Sequence, residues 1–502
     1  MAIEREIKLI AGVDFEMPDV TGGYPGLARG AVEHLHLDAV YYDTPTLALA
    51  RAGVTLRSRT GEAAPIWTLK LDSTNDSGEL ARTELTFDEP LGPIPHDARL
   101  ATRAHVRSQT LGPVLRLHTD RTQIHLELDG EPFLKLSDDK VVADAGTEPG
   151  TSFREIELEL SSDPPDARAV EHVLGVIRAA GARQEDPLPK AFRALGDRAL
   201  GPPDVEVIAV DKRATTGELV RHVIAKSVAQ LVDHHPGVWL GEDPEHVHRF
   251  RVATRRLRSD LRTFEPMLDR HWTTWLRDEL KWLGAQVGMG RDADVLAARL
   301  RSQMTSLPAD DQVGIDCLRT RLTENSSDAR QHVVAALSSD RYTELLDALV
   351  EAARQPRFAV EPPGLAQSRA RTVVTRLVRR PWRKLKRAAD ALADDSPDPA
   401  FHAVRIRAKR VRYAAEAVEP VCGRNARRFA EAVERVQTVL GDHQDTAVAE
   451  AWLRDAAAAE PAAHLVIGEL VTMERLERLR LRGEFASVWK KASRRKLRAW
   501  FR

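Results

Sequence analysis

The residues of this chain best suited to chemistry stand at its start, where charged and apolar side chains alternate. Glu4, Glu6 and Lys8 fall on one side of an extended strand. Ile7 and Leu9 fall on the other side, because successive side chains of a strand point to opposite faces. A charged face of this kind is ordinary when it meets water. If it faces inward, the two carboxylates need a cation and the lysine needs an anion.

The same alternation recurs along the N-terminal half. The charged faces of these segments carry Arg57 and Arg59, Lys70, Arg82 and Glu84, Arg121, Gln123 and Glu127, and Glu155, Glu157 and Glu159. Carboxylate oxygens suit a hard cation such as Mg²⁺ or Mn²⁺, whereas arginine and lysine suit phosphoryl oxygens. If these faces line an interior, they favour a site for a divalent metal and a phosphorylated anion.

The elements that must position these residues are mostly strands. Alternation predicts strands at 3–10, 35–43, 53–59, 65–71, 80–88, 114–128, 132–143 and 153–160. Helical patterns cover 96–109, 164–180 and 189–199. Because the apolar faces of the first two helices can cover only the apolar side of the strands, the pattern favours a closed antiparallel sheet with charge inside. A half-exposed sheet with a solvated charged face has the same periodicity and stays open as an alternative.

The chain divides at Gly201-Pro202-Pro203-Asp204. Residues 1–203 carry 22 Lys+Arg and 33 Asp+Glu, a balance of −11, whereas the remainder carries 52 and 42, a balance of +10. Helical patterns dominate after the division. We therefore predict a multidomain α+β protein with one domain at 1–203, a linker at 204–213 and an all-α domain at 214–502. The charges favour metal binding by the first domain and polyanion binding by the second, with two unrelated solvated surfaces as the alternative.

Composition also bears on the compartment. Cys317 and Cys422 are the two cysteines, which excludes a disulfide scaffold and suits a reducing cytosol. No run of about 18 apolar residues occurs, so no membrane partner is expected. The N-terminus lacks the apolar core of a signal peptide. The opposite charges of the two domains would let them dock on one another, within one copy or in a homo-oligomer.

The helical half contains a repeat. Residues 248–268 can be laid over residues 402–422 with their basic positions in register. The spacing is too long for a solenoid unit. It predicts two related helical bundles, at about 214–360 and 361–502.

Each repeat carries a basic stripe on one helix face. The stripes are His248, Arg251, Arg255, Arg258 and Arg262, and His402, Arg405, Lys409 and Arg412; a further basic stretch includes Arg376, Arg380 and Arg383. Like charges four residues apart destabilise a helix, so a single-sign stripe used twice favours a linear polyanion as ligand. A salt-bridge network with acidic neighbours, Asp292 and Asp445 among them, is the alternative. Nucleic acid fits less well, because stacking needs interleaved aromatic residues and the stripe has only Tyr413 at its edge.

The motifs of the N-terminal half resemble those of the CYTH, or triphosphate tunnel metalloenzyme, superfamily over about 1–200. They are Glu4-x-Glu6-x-Lys8, Leu56-Arg57-Ser58-Arg59, Trp67-Thr68-Leu69-Lys70, Arg82-Thr83-Glu84, Asp120-Arg121-Thr122, Glu155-Ile156-Glu157-Leu158-Glu159 and Pro189-Lys190-Ala191-Phe192. The resemblance implies an eight-stranded antiparallel β tunnel, or barrel, with flanking helices. It also implies hydrolysis of a triphosphate with Mg²⁺ or Mn²⁺ as cofactor.

The resemblance assigns roles to individual residues. Glu4, Glu6 and Lys8 would be catalytic. Metal would be bound by Glu4 and Glu6 together with two of Glu155, Glu157 and Glu159, whose register is ambiguous. Phosphate would be bound by Lys8, Arg57, Arg59, Lys70, Arg82, Arg121 and Lys190. Family members differ in substrate, and no residue here indicates a base or a vitamin, which favours inorganic triphosphate.

The helical half resembles the CHAD domain over about 210–500, through its duplicated His-x-x-Arg-x-x-x-(Arg/Lys)-Arg-x-Arg pattern. This resemblance implies two pseudo-symmetric four-helix bundles with a basic cavity that binds inorganic polyphosphate. The whole chain is then expected to be a cytoplasmic inorganic triphosphatase, an acid anhydride hydrolase that also acts on short-chain polyphosphate and associates with polyphosphate granules. The alternatives are a polyphosphate-binding scaffold with little catalysis, a nucleotide or thiamine triphosphatase, and an adenylate cyclase.

Overall fold

The structure is a computed structural model that describes residues 6–62, 64, 66–74, 80–146, 151–160, 166–184, 188–241, 243–360 and 364–501. The chain divides into two units, residues 1–204 and 205–502. The first unit combines a β-sheet with short helices, and the second is all-helical. The predicted α+β class is confirmed.

The first unit is built on one antiparallel sheet of eight strands. The strands are β1 (Glu6–Ala11), β2 (Leu27–Asp43), β3 (Thr55–Thr60), β4 (Ile66–Thr74), β5 (Leu80–Phe87), β6 (Gly112–Leu128), β7 (Glu131–Asp144) and β8 (Thr151–Leu160). Their order across the sheet is β1-β8-β7-β6-β2-β3-β4-β5. Among the described residues no backbone pairing joins the edge strands β1 and β5.

Strand β2 is longer than its sequence pattern indicates. Alternation predicts a start at residue 35, but β2 begins at Leu27, opposite Leu128 of β6. A register shift between Arg29 and Val32 interrupts the pairing without ending it. Residues at this end are extended because β6 supplies a hydrogen-bonding partner, and no local apolar pattern marks them.

Four helices accompany the sheet: α1 (His96–Ala101), α2 (Arg103–Val106), α3 (Ala167–Ala179) and α4 (Lys190–Leu195). The helical pattern at 96–109 is present as α1 and α2, which meet at Thr102, where the backbone N–H still donates to the Ala98 carbonyl over 3.1 Å. Helix α2 then ends at Arg107, which has a positive φ of 56°.

Helices cover the apolar faces of the strands from outside. Val173 and Ile177 of α3 share a buried core with Ile156 and Leu158 of β8. In the same way, α4 packs on β6 and β7. Because the apolar faces are covered on the outside, the opposite, charged faces of the strands are left for the interior.

The second unit contains α5 (Thr216–Leu240), α6 (Pro244–Phe264), α7 (Arg270–Met304), α8 (Gln312–Ser338), α9 (Asp340–Arg354), α10 (Ala370–Val373), α11 (Thr375–Asp390), α12 (Asp398–Ala417), α13 (Glu419–Cys422), α14 (Arg424–Ala459) and α15 (His464–Ala492). The repeat is visible as α6 followed by the long α7, and α12 followed by the long α14. Leu300, Leu318, Leu453 and Leu470 meet in one core, so α7, α8, α14 and α15 join the two halves. Within the described residues, no helix has both the length and the apolar character needed to cross a membrane.

Candidate functional site

A cavity of about 480 Å³ lies inside the first unit, and residues from all eight strands and from the start of α4 line it. We call it the tunnel cavity. Its charged lining residues are Lys8, Glu33, Arg57, Arg59, Glu62, Lys70, Glu84, Arg121, Lys135, Glu157, Glu159 and Lys190. The sheet therefore curls around a charged interior, and the solvated-face alternative does not describe these strands.

Glu157 of β8 is the carboxylate on which the cations converge. Its Oε1 lies 2.8 Å from Lys8 Nζ and 2.8 Å from Lys190 Nζ, and its Oε2 lies 2.8 Å from Arg121 Nη2. Burial acts to raise the pKa of Glu157, but the three cations outweigh burial and hold the pKa well below its ordinary value. At neutral pH Glu157 is therefore a carboxylate in direct contact with three cations.

Glu155 and Glu159 flank Glu157 on the same strand and have different surroundings. Glu155 is fully buried, and burial raises the pKa of its carboxyl. Its Oε1 lies 3.4 Å from Lys8 Nζ and 3.5 Å from Lys190 Nζ. The Glu159 side chain is 48% exposed and lines the cavity. Of the three glutamates, Glu157 and Glu159 are thus the two that line the cavity.

Asp139 of β7 was not among the predicted site residues. It is fully buried and accepts hydrogen bonds from Arg121 Nε and Nη2, both over 2.7 Å, while Lys190 Nζ lies 2.7 Å from its Oδ2. Asp139 therefore holds in place two cations that also reach Glu157. A sequence signal existed, because Asp139 lies four residues after Lys135 on a predicted strand and so shares its face.

The other predicted phosphate ligands of the tunnel lie on β3, β4 and β5. Arg57 donates a hydrogen bond to Tyr41 Oη over 3.4 Å. Arg59 forms an ion pair with Glu62 over 2.7 Å, and Lys70 forms one with Glu84 over 2.5 Å. The Nε atoms of Arg57 and Arg59 are buried and make no hydrogen bond within the described residues. Arg82 occupies β5, but its side chain lies outside the described part of the chain, as does the whole of Glu4.

The carboxylates of the cavity are suited to a divalent metal. Glu157 and Glu159 line the cavity, and Glu6 lies directly opposite Glu159 in the pairing of β1 with β8. Oxygen donors are the ligands that Mg²⁺ and Mn²⁺ prefer. The described residues contain no group of three or more His, Cys, Asp or Glu side chains arranged around one point. The fit therefore rests on the two lining carboxylates and on the backbone register of Glu6, whose side chain lies outside the described part of the chain.

In the second unit, the two basic stripes face each other because α6 packs against α12. Arg405, Arg255 and Arg251 lie close enough to Lys409 that, after burial, they lower the pKa of its amine to about 7. The Nε atoms of Arg255 and Arg405 are buried without a hydrogen bond to any described residue. Burial and then neighbouring arginines, Arg262 and Arg277 among them, lower the pKa values of Arg258 and Arg410, so the group extends toward Arg277. We call Arg251, Arg255, Arg258, Arg262, Arg405, Lys409 and Arg410 the basic cluster.

Two arginines of the cluster are held at equivalent points of the repeat. Arg251 Nη1 donates to the Gly288 carbonyl (3.2 Å) and to Asp292 (2.7 Å). The Arg405 guanidinium lies against Gly441, where an added Cβ would be 3.7 Å from Nε. Gly288 on α7 and Gly441 on α14 thus leave room for the guanidinium groups of Arg251 and Arg405.

The remaining predicted polyphosphate ligands differ in their surroundings. Arg412 donates to Glu416 over 2.6 Å and lies 2.9 Å from Glu434, so its charge is compensated within the fold. At the start of the stripes, His248 is part-buried, and His402 Nδ1 lies 2.6 Å from Gln444 Oε1. Arg376, Arg380 and Arg383 are exposed on α11.

A curled antiparallel sheet with a charged interior, followed by a duplicated helical region with a basic cluster, defines a two-domain architecture. The family model described as the CYTH domain matches residues 2–192, and that of the CHAD domain matches residues 222–454. The chain belongs to the proteins that carry a CYTH domain and a CHAD domain in one polypeptide. CYTH domains are in general enzymes that act on triphosphates, typically with divalent metals.

Two protein sequences align with most of this chain. Two Mycobacterium tuberculosis proteins, both described as uncharacterized, are each 31% identical over 445 residues, which is 85% of this chain and 83% of theirs. Among solved structures, PptA from Streptomyces chartreusis is 22% identical with a TM-score of 0.47, covering 55% of this chain and 100% of its own. The CHAD domain from the plant Ricinus communis is 25% identical with a TM-score of 0.47, covering 58% and 96%.

Proposed function

We propose that the first unit hydrolyses inorganic triphosphate, or the ends of short polyphosphate chains, with Mg²⁺ or Mn²⁺, and that the second unit binds polyphosphate. One observation supports the proposed hydrolysis by the first unit. Cations from β1, β3, β4, β6 and α4 line one cavity, and Tyr41 is the only aromatic residue among its described lining residues. The cavity thus offers many partners for phosphoryl oxygens and little surface on which a base could stack.

Some residues of the tunnel cavity would bind the phosphates, and others would hold those residues in position. The guanidinium groups of Arg57, Arg59 and Arg121 would donate to phosphoryl oxygens, as arginine does well because its donors form a fixed planar fork. The buried Nε donors of Arg57 and Arg59 support this role, since a phosphate would satisfy them. Asp139 would keep Arg121 and Lys190 in place while the substrate enters.

A divalent metal would be held by Glu157 and Glu159 together with Glu6 and Glu4. When bound, the metal supplies a positive charge that neutralises phosphoryl oxygens and makes an attacking water more acidic. The chain itself contributes the carboxylates that bind the metal and the cations that fix the triphosphate beside it. Glu155, buried below Lys8 and Lys190, would help position those two amines.

A substrate panel tests this proposal. Purified protein is incubated with tripolyphosphate, ATP or thiamine triphosphate, each with Mg²⁺, Mn²⁺ or EDTA, and released phosphate is measured. We expect kcat/KM for tripolyphosphate to exceed that for the other two at least tenfold (about 1.4 kcal/mol), and activity to disappear in EDTA. Preference for ATP would instead support a nucleotide enzyme, and cleavage of none of the three would support the scaffold alternative.

The basic cluster supports polyphosphate binding by the second unit. Its members on α6 and α12 are separated in sequence but adjacent in the fold. No ion pair is made within the described residues by Arg255, Arg258, Arg262 or Arg410. Bringing like charges together is unfavourable, and a polyanion that contacts them all would relieve the repulsion. The ion-paired alternative describes Arg412, which pairs with Glu416, and Arg251, which pairs with Asp292, and Asp445 lies near Arg405; it does not describe Arg255, which has no ion pair within the described residues.

Polyphosphate binding is expected to weaken as the pH rises from 6 to 8. Burial, followed by Arg405, Arg255 and Arg251, lowers the pKa of Lys409 to about 7, while Asp445 acts in the opposite sense. Lys409 is therefore charged below pH 7 and loses its proton above it, and a bound polyanion must restore that proton. Across these two pH units the affinity should fall about tenfold. Calorimetry in buffers of different ionisation enthalpy would measure the proton uptake.

Lys409→Gln removes the titrating group and should flatten this pH profile. Lys386→Gln is the matched control, because Lys386 is an exposed lysine of α11 that pairs with Asp390. It should leave the profile unchanged. A wild-type affinity that is constant between pH 6 and pH 8 would contradict a role for Lys409 in the site.

A further inference from the structure

A second basic pocket lies in the helical unit and is lined by residues outside the basic cluster. It has a volume of about 500 Å³ and is formed by the first half of α14, the end of α15 and the residues that follow. Its cationic lining residues are Arg428, Arg435, Lys491, Arg494 and Lys496. Lys491 and the residues after it lie beyond the segment that the CHAD model matches, which ends at residue 454. We call this space the tail pocket.

The cations of the tail pocket are not compensated by carboxylates. None of the five makes a side-chain hydrogen bond or an ion pair within the described part of the chain. Glu431 is the one carboxylate among the lining residues described. In the tunnel cavity, by contrast, Lys8, Lys70 and Arg121 each have a carboxylate partner. All five side chains are exposed, so their charges face solvent and are accessible to a ligand that carries negative charge.

The apolar wall of the pocket distinguishes it from a simple polyanion site. Ala432, Leu497 and Trp500 lie between the cations. The Trp500 ring packs edge-on against Phe501, with centroids 4.8 Å apart, and is only part-buried. Its indole N–H is buried and makes no hydrogen bond to a described residue. Inorganic phosphate makes no use of an aromatic face, whereas a ligand with a planar, polar ring can stack on it.

We propose that the tail pocket binds a nucleotide, with its base against Trp500 and its phosphates on the surrounding arginines and lysines. Stacking on an aromatic side chain tolerates any base, since every base has a π-face. Two or more phosphates would match the number of cations available. The site is separate from the tunnel cavity and does not depend on hydrolysis there.

Calorimetric titration of the full-length protein with ADP and with pyrophosphate, in EDTA, tests the proposal. The two ligands carry the same phosphate groups, so their difference reports the nucleoside. Trp500→Leu is expected to weaken ADP binding about tenfold and to leave pyrophosphate binding unchanged. Arg428→Gln combined with Arg435→Gln should weaken both ligands. Trp275→Leu is the matched control, because Trp275 is a 42% exposed tryptophan on α7, outside the pocket.

Trp500→Phe covers the case in which the leucine variant does not fold. Phenylalanine keeps an aromatic ring beside Phe501 but lacks the indole N–H and the second ring, so ADP affinity should fall a few-fold. Equal loss of ADP and pyrophosphate binding in both Trp500 variants would overturn the nucleotide assignment. So would unchanged ADP binding in the Trp500 variants and in the Arg428/Arg435 double variant.

Discussion

Replacement of Glu157 by glutamine is expected to lower kcat for tripolyphosphate hydrolysis about 10²- to 10³-fold, the range typical of losing one charged or polar group that acts on the transition state. Lys8, Lys190 and Arg121 converge on this carboxylate, each at 2.8 Å. Glutamine keeps the shape and removes the negative charge, so this position can no longer bind a divalent metal effectively. Phosphate release at saturating Mg²⁺ or Mn²⁺ measures the effect.

In the Glu157→Gln variant, KM for tripolyphosphate is not expected to rise as kcat falls. The three cations would no longer be neutralised by Glu157 and would bind triphosphate at least as tightly as before. We therefore expect KM to stay the same or to fall. A rise in KM with unchanged kcat would instead mean that Glu157 serves ground-state binding. The thermal midpoint of the variant without substrate checks that it is folded.

Glu171→Gln is the matched control, because Glu171 is an exposed carboxylate of α3 that pairs with Arg178 over 3.2 Å. Its activity should stay within about twofold of wild type, as is usual for a surface ion pair. Wild-type activity in Glu157→Gln, at every metal concentration, would contradict the assignment of this carboxylate to the metal site.

The curled sheet could be predicted because one rule, alternation with period two, decides which residues share a face. Arg57, Arg59 and Lys70 were placed on charged faces by this rule, and the structure has all three in the cavity lining. Alternation does not say how neighbouring strands are aligned. Glu155, Glu157 and Glu159 are equivalent by periodicity, and they differ only through β1, β7 and α4.

In the helical half, periodicity likewise does not predict which basic side chains are compensated by carboxylates. Periodicity placed Arg412 on the second stripe with Arg405 and Lys409. The structure pairs Arg412 with Glu416 on its own helix and with Glu434 on α14. Which cations remain uncompensated depends on acidic residues brought in by tertiary packing, and a single helix face does not contain that information. Asp139 shows the same limit for an acidic residue, since its importance comes from contacts with Arg121 and Lys190, which are distant in sequence.

The double variant Arg255→Gln/Arg405→Gln is expected to weaken binding of long-chain polyphosphate about 10²- to 10³-fold, because each arginine contributes charge-assisted hydrogen bonds to phosphate. The Nε atoms of both arginines are buried without a hydrogen bond to a described residue, and they lie on different repeats. A chain bound across α6 and α12 would use both. Titration at several salt concentrations should also show the slope of log K against log salt falling by about two.

Arg249→Gln/Arg412→Gln is the matched control, since it removes the same charge from the same two helices. Arg249 pairs with Glu245 over 2.9 Å, and Arg412 pairs with Glu416 over 2.6 Å. If polyphosphate responds only to net charge, both double variants will weaken binding equally, and the basic cluster is not a defined site. If the uncompensated arginines form the site, the control should lose less than about threefold, because a neutralised cation adds little field. The ratio between the two variants therefore measures how far the fold, rather than the composition, determines polyphosphate binding.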